Sequence, residues 1–262
     1  MSRRAMVMVV FGLCLGLSRL GMADVWDVQT DNDNTTGTEN ELIHGSDQIH
    51  DLGALSGPQA DQDWYLISWR GYSSYEVVAD GTSGDIGQTL NLDVVDSDGT
   101  SVVASGVAVG IGFSRSLRFQ NTGATALDTQ FVRVTSGSCT TDCDASDVYR
   151  IRAYETTYAV PRFNNSGTQI TVLVVQNPTD YAIAGNVYFW NLSGTLLATR
   201  TFSLPARQTL LLNTNTVSGA TGASGAMTVS HNGRYGELAG KTVALEPATG
   251  FSFDTPMVPR VH

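Results

Sequence analysis

The sequence predicts an all-β protein of two β-sandwich domains behind a cleaved signal peptide. Three observations carry this. Strand-forming residues recur in short alternating runs, Gly, Asn and Asp turns separate them roughly every 8 to 12 residues, and long Ala/Leu/Glu/Lys runs at helical spacing are missing.

The chain opens with Arg3 and Arg4, an apolar run from Val7 to Leu17 too short to span a bilayer, and a small-x-small box at Gly21-Met22-Ala23. Residues 1–23 therefore read as an export signal, through the general secretory or the twin-arginine route, and the mature protein is expected to be secreted or periplasmic. Its removal takes away Arg3, Arg4 and Arg19 and no acid, which moves the formal charge from −10 to about −13. A chain with a single lysine, Lys241, lacks the basic clusters that phosphate backbones require, so nucleic acid is excluded as a partner. No later run approaches the 18 or more apolar residues of a membrane span. The charge is also lopsided: Asp24 to Tyr158 holds 21 acids against 6 arginines, and the remainder 4 acids against 6 basic residues. That shift divides the mature chain into domains at 24–157 and 158–262.

Within the first domain, Asp24 to Ile49 is polar and acidic, a loop or edge segment. Asp63 to Trp69 alternates as a strand, with Tyr65, Ile67 and Trp69 on one face and Trp64, Leu66 and Ser68 on the other. Further strands are expected over 75–79, 89–95, 101–105, 115–119, 129–135 and 149–154. Asp96-Ser-Asp-Gly99 opens like a calcium loop but lacks the distal Glu and reads as a hairpin turn. Gly106 to Gly112 has no Lys-Ser/Thr ending for a phosphate loop and suits a close-packed strand or loop.

The second domain offers strands over 158–163, 169–176, 185–191, 196–202, 209–212, 225–230 and 241–245, an immunoglobulin-like pattern. Gly219 to Gly225 is rich in Gly, Ala and Ser and is expected to be a mobile loop. Two aromatic sets compete for the core: Trp64 against Tyr65 and Trp69, and Tyr188 and Trp190 against Phe189. The set left outside would suit sugar rings or fibrous protein, and core packing is the alternative.

Cys139 and Cys143 stand four apart in a polar loop of an exported chain, where thiols oxidise, so a disulfide is expected. Zinc would need two more ligands, and no nearby Cys or His supplies them. Catalytic motifs are thin. Gly112-Phe-Ser-Arg-Ser116 misses the closing glycine of a nucleophile elbow, and His44 and His50 are too far apart for a zinc-peptidase motif. A carboxylate pair for glycoside hydrolysis leaves no short motif and stays open.

Asp61-Gln-Asp63-Trp-Tyr-Leu-Ile67, preceded by an acidic Asn/Glu-rich stretch and followed by strands ending in Asp147-Val-Tyr-Arg-Ile-Arg152, resembles the bacterial pre-peptidase C-terminal (PPC) domain. That family is similar to the collagen-binding domains of secreted collagenases. The resemblance spans roughly Asp31 to Ala153. It implies a jelly-roll-like, non-catalytic sandwich, in some members calcium-bound. Carried over, Glu39, Asn40 and Glu41 with Asp61 and Asp63 would be the calcium ligands, and Asp31 and Asp33 further candidates. The stretch Thr38-Glu-Asn-Glu41 departs from the family's Glu-x-Asn-Asp. The resulting expectation is a non-catalytic binding or matrix-association protein, calcium-stabilised, whose partner is an extracellular protein or polysaccharide. An exported hydrolase, or an accessory subunit of a secreted peptidase, is the alternative.

Overall fold

The computed structural model describes residues 33–53, 61–84, 90–109, 114–137 and 143–260. The export signal, Asp31 and Cys139 lie outside them. Among the described residues every strand pairing is antiparallel. The first nine strands are β1 (Asp47–Asp51), β2 (Gln62–Leu66), β3 (Ser73–Gly81), β4 (Leu90–Val95), β5 (Val102–Ser105), β6 (Val107–Val109), β7 (Ser114–Asn121), β8 (Phe131–Ser136) and β9 (Val148–Glu155). They make two sheets, β1-β9-β3-β7-β6 and β2-β8-β4-β5. Only the β4–β5 and β6–β7 connections stay within a sheet, and every other connection crosses over. Two small sheets so interleaved bury their inner faces on each other. Tyr65, Trp69, Val77, Leu92, Leu117, Tyr149 and Ile151 form that core, each at most 1% exposed.

The other nine are β10 (Tyr158–Asn164), β11 (Ile170–Gln176), β12 (Ile183–Asn191), β13 (Leu196–Leu204), β14 (Thr209–Asn213), β15 (Ser224–His231), β16 (Ala239–Glu246), β17 (Phe251–Pro256) and β18 (Val258–Pro259). Their sheets are β13-β12-β15-β10-β18 and β14-β11-β16-β17, around a separate core of Phe163, Leu173, Val175, Val187, Phe189 and Val229. Pro161 sits in β10 where its pairing with β15 slips between Val160 and Phe163, as a residue without an N–H requires.

Each run read as a strand overlaps one in the structure, and β1, β6, β17 and β18 are additional. The Asp96 to Gly99 turn is a hairpin turn: Gly99 has φ 70°, its N–H reaches Asp96 O at 2.9 Å, and Asp96 N–H reaches Ser101 O at 2.9 Å. Residues 219 to 225 are anchored, contrary to expectation. Ala220 is fully buried in the second core, and its carbonyl accepts from Asn165 Nδ2 at 2.9 Å. Gly225 lies so near β12 that an added Cβ would fall 1.8 Å from Trp190 O. Gly225→Ala is accordingly expected to cost about 1–3 kcal/mol in urea unfolding, and an unchanged midpoint would contradict this close approach.

The aromatic sets follow the core-packing reading: one of each pair is in a core, and the other is covered or, for Trp190, half-buried. Tyr65 and Trp69 are in the core, yet Trp64 on the opposite face is 4% exposed, held between Val95, Phe131 and Arg133, whose guanidinium lies 5.4 Å from its ring. Tyr188, opposite Phe189, is 1% exposed because Tyr72 of the first sandwich covers it at 4.9 Å. Alternation along one strand places a ring on a face; it does not say what the rest of the chain lays over that face.

Candidate functional site

The acidic segment before β2 folds back along that strand. Trp64 N–H donates to Asp33 O at 2.6 Å, Leu66 N–H to Asn40 O at 2.8 Å, and Leu42 N–H to Leu66 O at 2.8 Å. Asp33 and Asn34 thereby meet the start of β2, where the Asn34 amide, with its oxygen and nitrogen exchanged to suit their neighbours, donates to Asp61 Oδ1. Asn40 and Glu41 meet its end. Of the expected calcium ligands, Asn40, Asp61 and Asp63 are buried, as is Asp33, whereas Glu39 and Glu41 are exposed. No three His, Cys, Asp or Glu side chains among the described residues form a metal group by themselves. Calcium, however, also draws on amide and backbone carbonyl oxygens. The Asn40 side chain is 1% exposed and neither its Oδ1 nor its Nδ2 has a hydrogen-bond partner.

Asp63 faces inward. Its Oδ2 accepts from the Tyr149 hydroxyl, which also meets the Tyr65 hydroxyl, and His50 stacks on Tyr149 at 5.7 Å. Burial, reinforced by the Asp63 charge, holds the Tyr149 phenol well above its ordinary range, so it stays protonated and donates. The spacing of the Asp63-Trp-Tyr65 signature follows: residues two apart share a strand face, which puts carboxylate and phenol on the same buried side.

The two sandwiches meet on the sheet containing β3, whose Ser73 to Val77 are buried on both faces. A face that alternation alone would assign to solvent is covered by the second sandwich. Glu76 accepts from Ser116 Oγ at 2.6 Å and from Tyr235 N–H at 2.8 Å. Ser74 Oγ accepts from His231 N–H at 3.1 Å, and Arg118 donates to Asn232 O at 2.9 Å. The fully buried Glu155 carboxylate is held by Arg70 on one oxygen and by Arg260, from beyond β18, at 2.6 Å on the other. Tyr72, held at φ 54°, carries its ring onto Tyr188 and Trp190. Strain at a non-glycine position persists where surrounding contacts over-determine it. His231 is buried and stacked on Tyr158 at 5.6 Å. Its Nδ1 accepts from Gly233 N–H at 3.1 Å, which leaves the proton on Nε2. Burial pulls its pKa down to about 4.

Tyr154 and Tyr235 stack across this junction at 4.7 Å, with clefts on either side. One, of about 480 Å³, has walls of Leu42, Ile43, Ile67, Ala153 and Tyr154, and polar groups from Glu41, His44, Arg70, Tyr75 and Glu155. The other, of about 420 Å³, lies among Glu76, Asp80, Arg152, Arg234 and Glu237. Glu41 and Glu155 share the first cleft, where arginines engage both Glu155 oxygens.

No known family matches the sequence, and no curated protein does. The chain is similar to a collagenase domain. That structure, the pre-peptidase C-terminal domain of a collagenase from Bacillus anthracis, is 12% identical at a TM-score of 0.30, covering 44% of this chain and 92% of that one. A beta-glucuronidase from Bacteroides uniformis is 14% identical at a TM-score of 0.20, covering 76% of this chain and 26% of that one. A glycosyl hydrolase family 2 member from Bacteroides cellulosilyticus is 9% identical at 0.22, covering 89% and 30%. The chain thus spans less than a third of each of these two hydrolases.

The junction is what sequence reasoning missed. Ser74 and Glu76 look like an ordinary solvated strand face, and His231 and Tyr235 like isolated surface residues. One chain's alternation holds no signal for contacts some 160 residues apart.

Proposed function

We propose that this is an exported, non-catalytic binding protein. In this reading residues 24–157 form a PPC-like module, residues 158–262 an immunoglobulin-like one, and together they hold an extracellular protein or polysaccharide. The observation that carries it is the cleft of about 480 Å³ beside the junction, lined by first-module residues, with apolar walls and a few convergent polar groups, the usual make-up of a ligand site. The residues of the Asp61 to Ile67 signature support the PPC reading. In the second module β11 pairs with β14 and β12 with β15, the partnerships of strands B with E and C with F in immunoglobulin domains; β10 and β16 exchange sheets relative to that fold. Among the described residues no helix is long and apolar enough to cross a membrane. Retention on fibrillar collagen or on insoluble polysaccharide, against a matched inert resin, tests the binding reading, and equal recovery from all supports would end it.

Calcium belongs to the same proposal. The buried, unpartnered Asn40 amide suits an ion's carbonyl-type ligand, and Asp33 and Asp61 lie on the backbone segments that flank it. These residues, with Glu39, Glu41 and Asp63 from the original set, would hold the ion, which would tie the N-terminal segment to β2. Added calcium is expected to raise the melting midpoint, stabilising the folded state by about 2.7 kcal/mol at a hundredfold excess over Kd, and EDTA to remove that gain. An identical melt in both removes the ion from the account. A Cys139–Cys143 bond, beside the first core on which Cys143 packs, would contribute about 2 kcal/mol or less, because the loop it closes is short.

A further inference from the structure

We infer that the junction cleft captures the C-terminal carboxylate of an apolar peptide, a specification of partner that rests on the binding reading above. The polar groups facing the cleft are biased toward donors. His44 Nδ1 accepts from Glu155 N–H at 3.0 Å, so in the neutral ring the proton is on Nε2 and available to an acceptor. The Tyr75 hydroxyl already accepts from Arg70 N–H at 2.8 Å, which leaves its own proton to donate. Arg70 spends one amino group on Glu155; its Nε is buried, and the rest of its partly exposed guanidinium is a donor at the lining.

The acceptors are already engaged or peripheral. Glu155 is neutralised by Arg70 and Arg260, and Glu41 is an exposed residue of the lining. An entering group that accepts several hydrogen bonds and carries negative charge therefore matches the site, and a carboxylate does both. The remaining lining is aliphatic or aromatic: Leu42, Ile43, Ile67, Ala153 and Tyr154. An acidic sugar would bring hydroxyls that need acceptors from walls that have few. The last residues of a peptide ending in Val, Leu or Phe bring a carboxylate and an apolar side chain together, a recognised mode of capture. Because Tyr235 packs on both His44 at 5.5 Å and Tyr154, the second sandwich buttresses two of the lining residues.

The test is calorimetric titration of the full mature chain with acetylated tetrapeptides ending in Leu or Phe, each as free acid and as C-terminal amide, with glucuronate as a third arm. The free acids are expected to bind at least tenfold more tightly than the amides, and glucuronate more weakly than either acid. Ser68→Trp, at an exposed position of the lining, and Ile43→Asp, at an exposed apolar one, are expected to abolish acid binding without lowering the melting midpoint. Equal affinity for acid and amide, tighter binding of glucuronate, no binding of any peptide, or wild-type affinity in Ser68→Trp would each overturn the inference. Retention on collagen or polysaccharide that survives Ser68→Trp would leave the general binding reading standing while this one falls.

Discussion

Tyr149→Phe is expected to destabilise the protein by about 3 kcal/mol, and Asp63→Ala by about 2–3 kcal/mol. The Asp63 carboxylate is 1% exposed and takes the Tyr149 hydroxyl as a donor, with the Tyr65 hydroxyl behind it. Removing the phenol leaves a buried charge short of a partner, which costs more than the hydrogen bond itself contributes. Asp63→Asn keeps an acceptor oxygen and is expected to cost about 1 kcal/mol. Urea unfolding monitored by tryptophan fluorescence reads all three. The same series separates two roles for Asp63. A residue that serves the tyrosines loses the same stability with calcium or with EDTA, whereas a residue whose main task is the ion shows its loss in calcium and almost none in EDTA. A Tyr149→Phe variant as stable as wild type would mean the network contributes nothing.

The sandwich pattern was legible because period-two alternation and turn chemistry are local properties. Thr89 to Val95 and Gln169 to Gln176 declare themselves as strands without reference to anything else, and β4 and β11 are there. The two alternating faces of the Asp63-Trp-Tyr65 run could be read for the same reason, but not which of them turns inward. What covers the outward faces could not. Trp64 is enclosed by Arg133 and Phe131, and Tyr188 by Tyr72, through contacts far apart in the chain. The Ala/Gly/Ser composition of residues 219 to 225 suggested mobility, yet the absence of large side chains is also what lets Gly225 lie against the Trp190 carbonyl and Ala220 enter the core. β17 was missed because Phe251 and Phe253 alternate with Ser252 and Asp254 just after a turn, over too short a run to stand out. The acid segment was foreseen to return to the Asp-x-Asp loop, and its backbone does run along β2. Asp33 and Asp61 end buried whereas Glu39 and Glu41, which follow the Thr35 to Thr38 turn, end exposed, a sorting set by long-range contacts along β2.

Acidification from about pH 6.5 to pH 4 is expected to remove about 3 kcal/mol of stability through His231 alone. In the unfolded chain this ring protonates near 6.5, whereas burial at the junction delays protonation of the folded protein to about pH 4. Between those values the unfolded state binds the extra proton, so stability rises with pH across the window, is complete above it, and is lost progressively as pH falls. The groups packed around the ring do not offset this. Tyr158, stacked on it, is pushed up by burial and stays neutral throughout, and the Ser74 and Gly233 contacts involve no ionising group. The carboxylates pulled below their usual range act at lower pH: the contributions of Asp47, Asp98 and Asp144 are present above about 3.8 and lost below it, and that of the exposed Glu246 is present above about 4.5, at the acid edge of the window. The upper part of the window, from about pH 6.5 to 5, therefore reports the histidine. His231→Gln, which keeps polar atoms near Gly233 but does not titrate, is expected to be less stable than wild type at pH 7.5 and to show a flatter stability profile between pH 6.5 and 4. A wild-type profile already flat in that window would place the histidine in water rather than at the junction. A slope that persists unchanged in the variant would assign the proton uptake to another group.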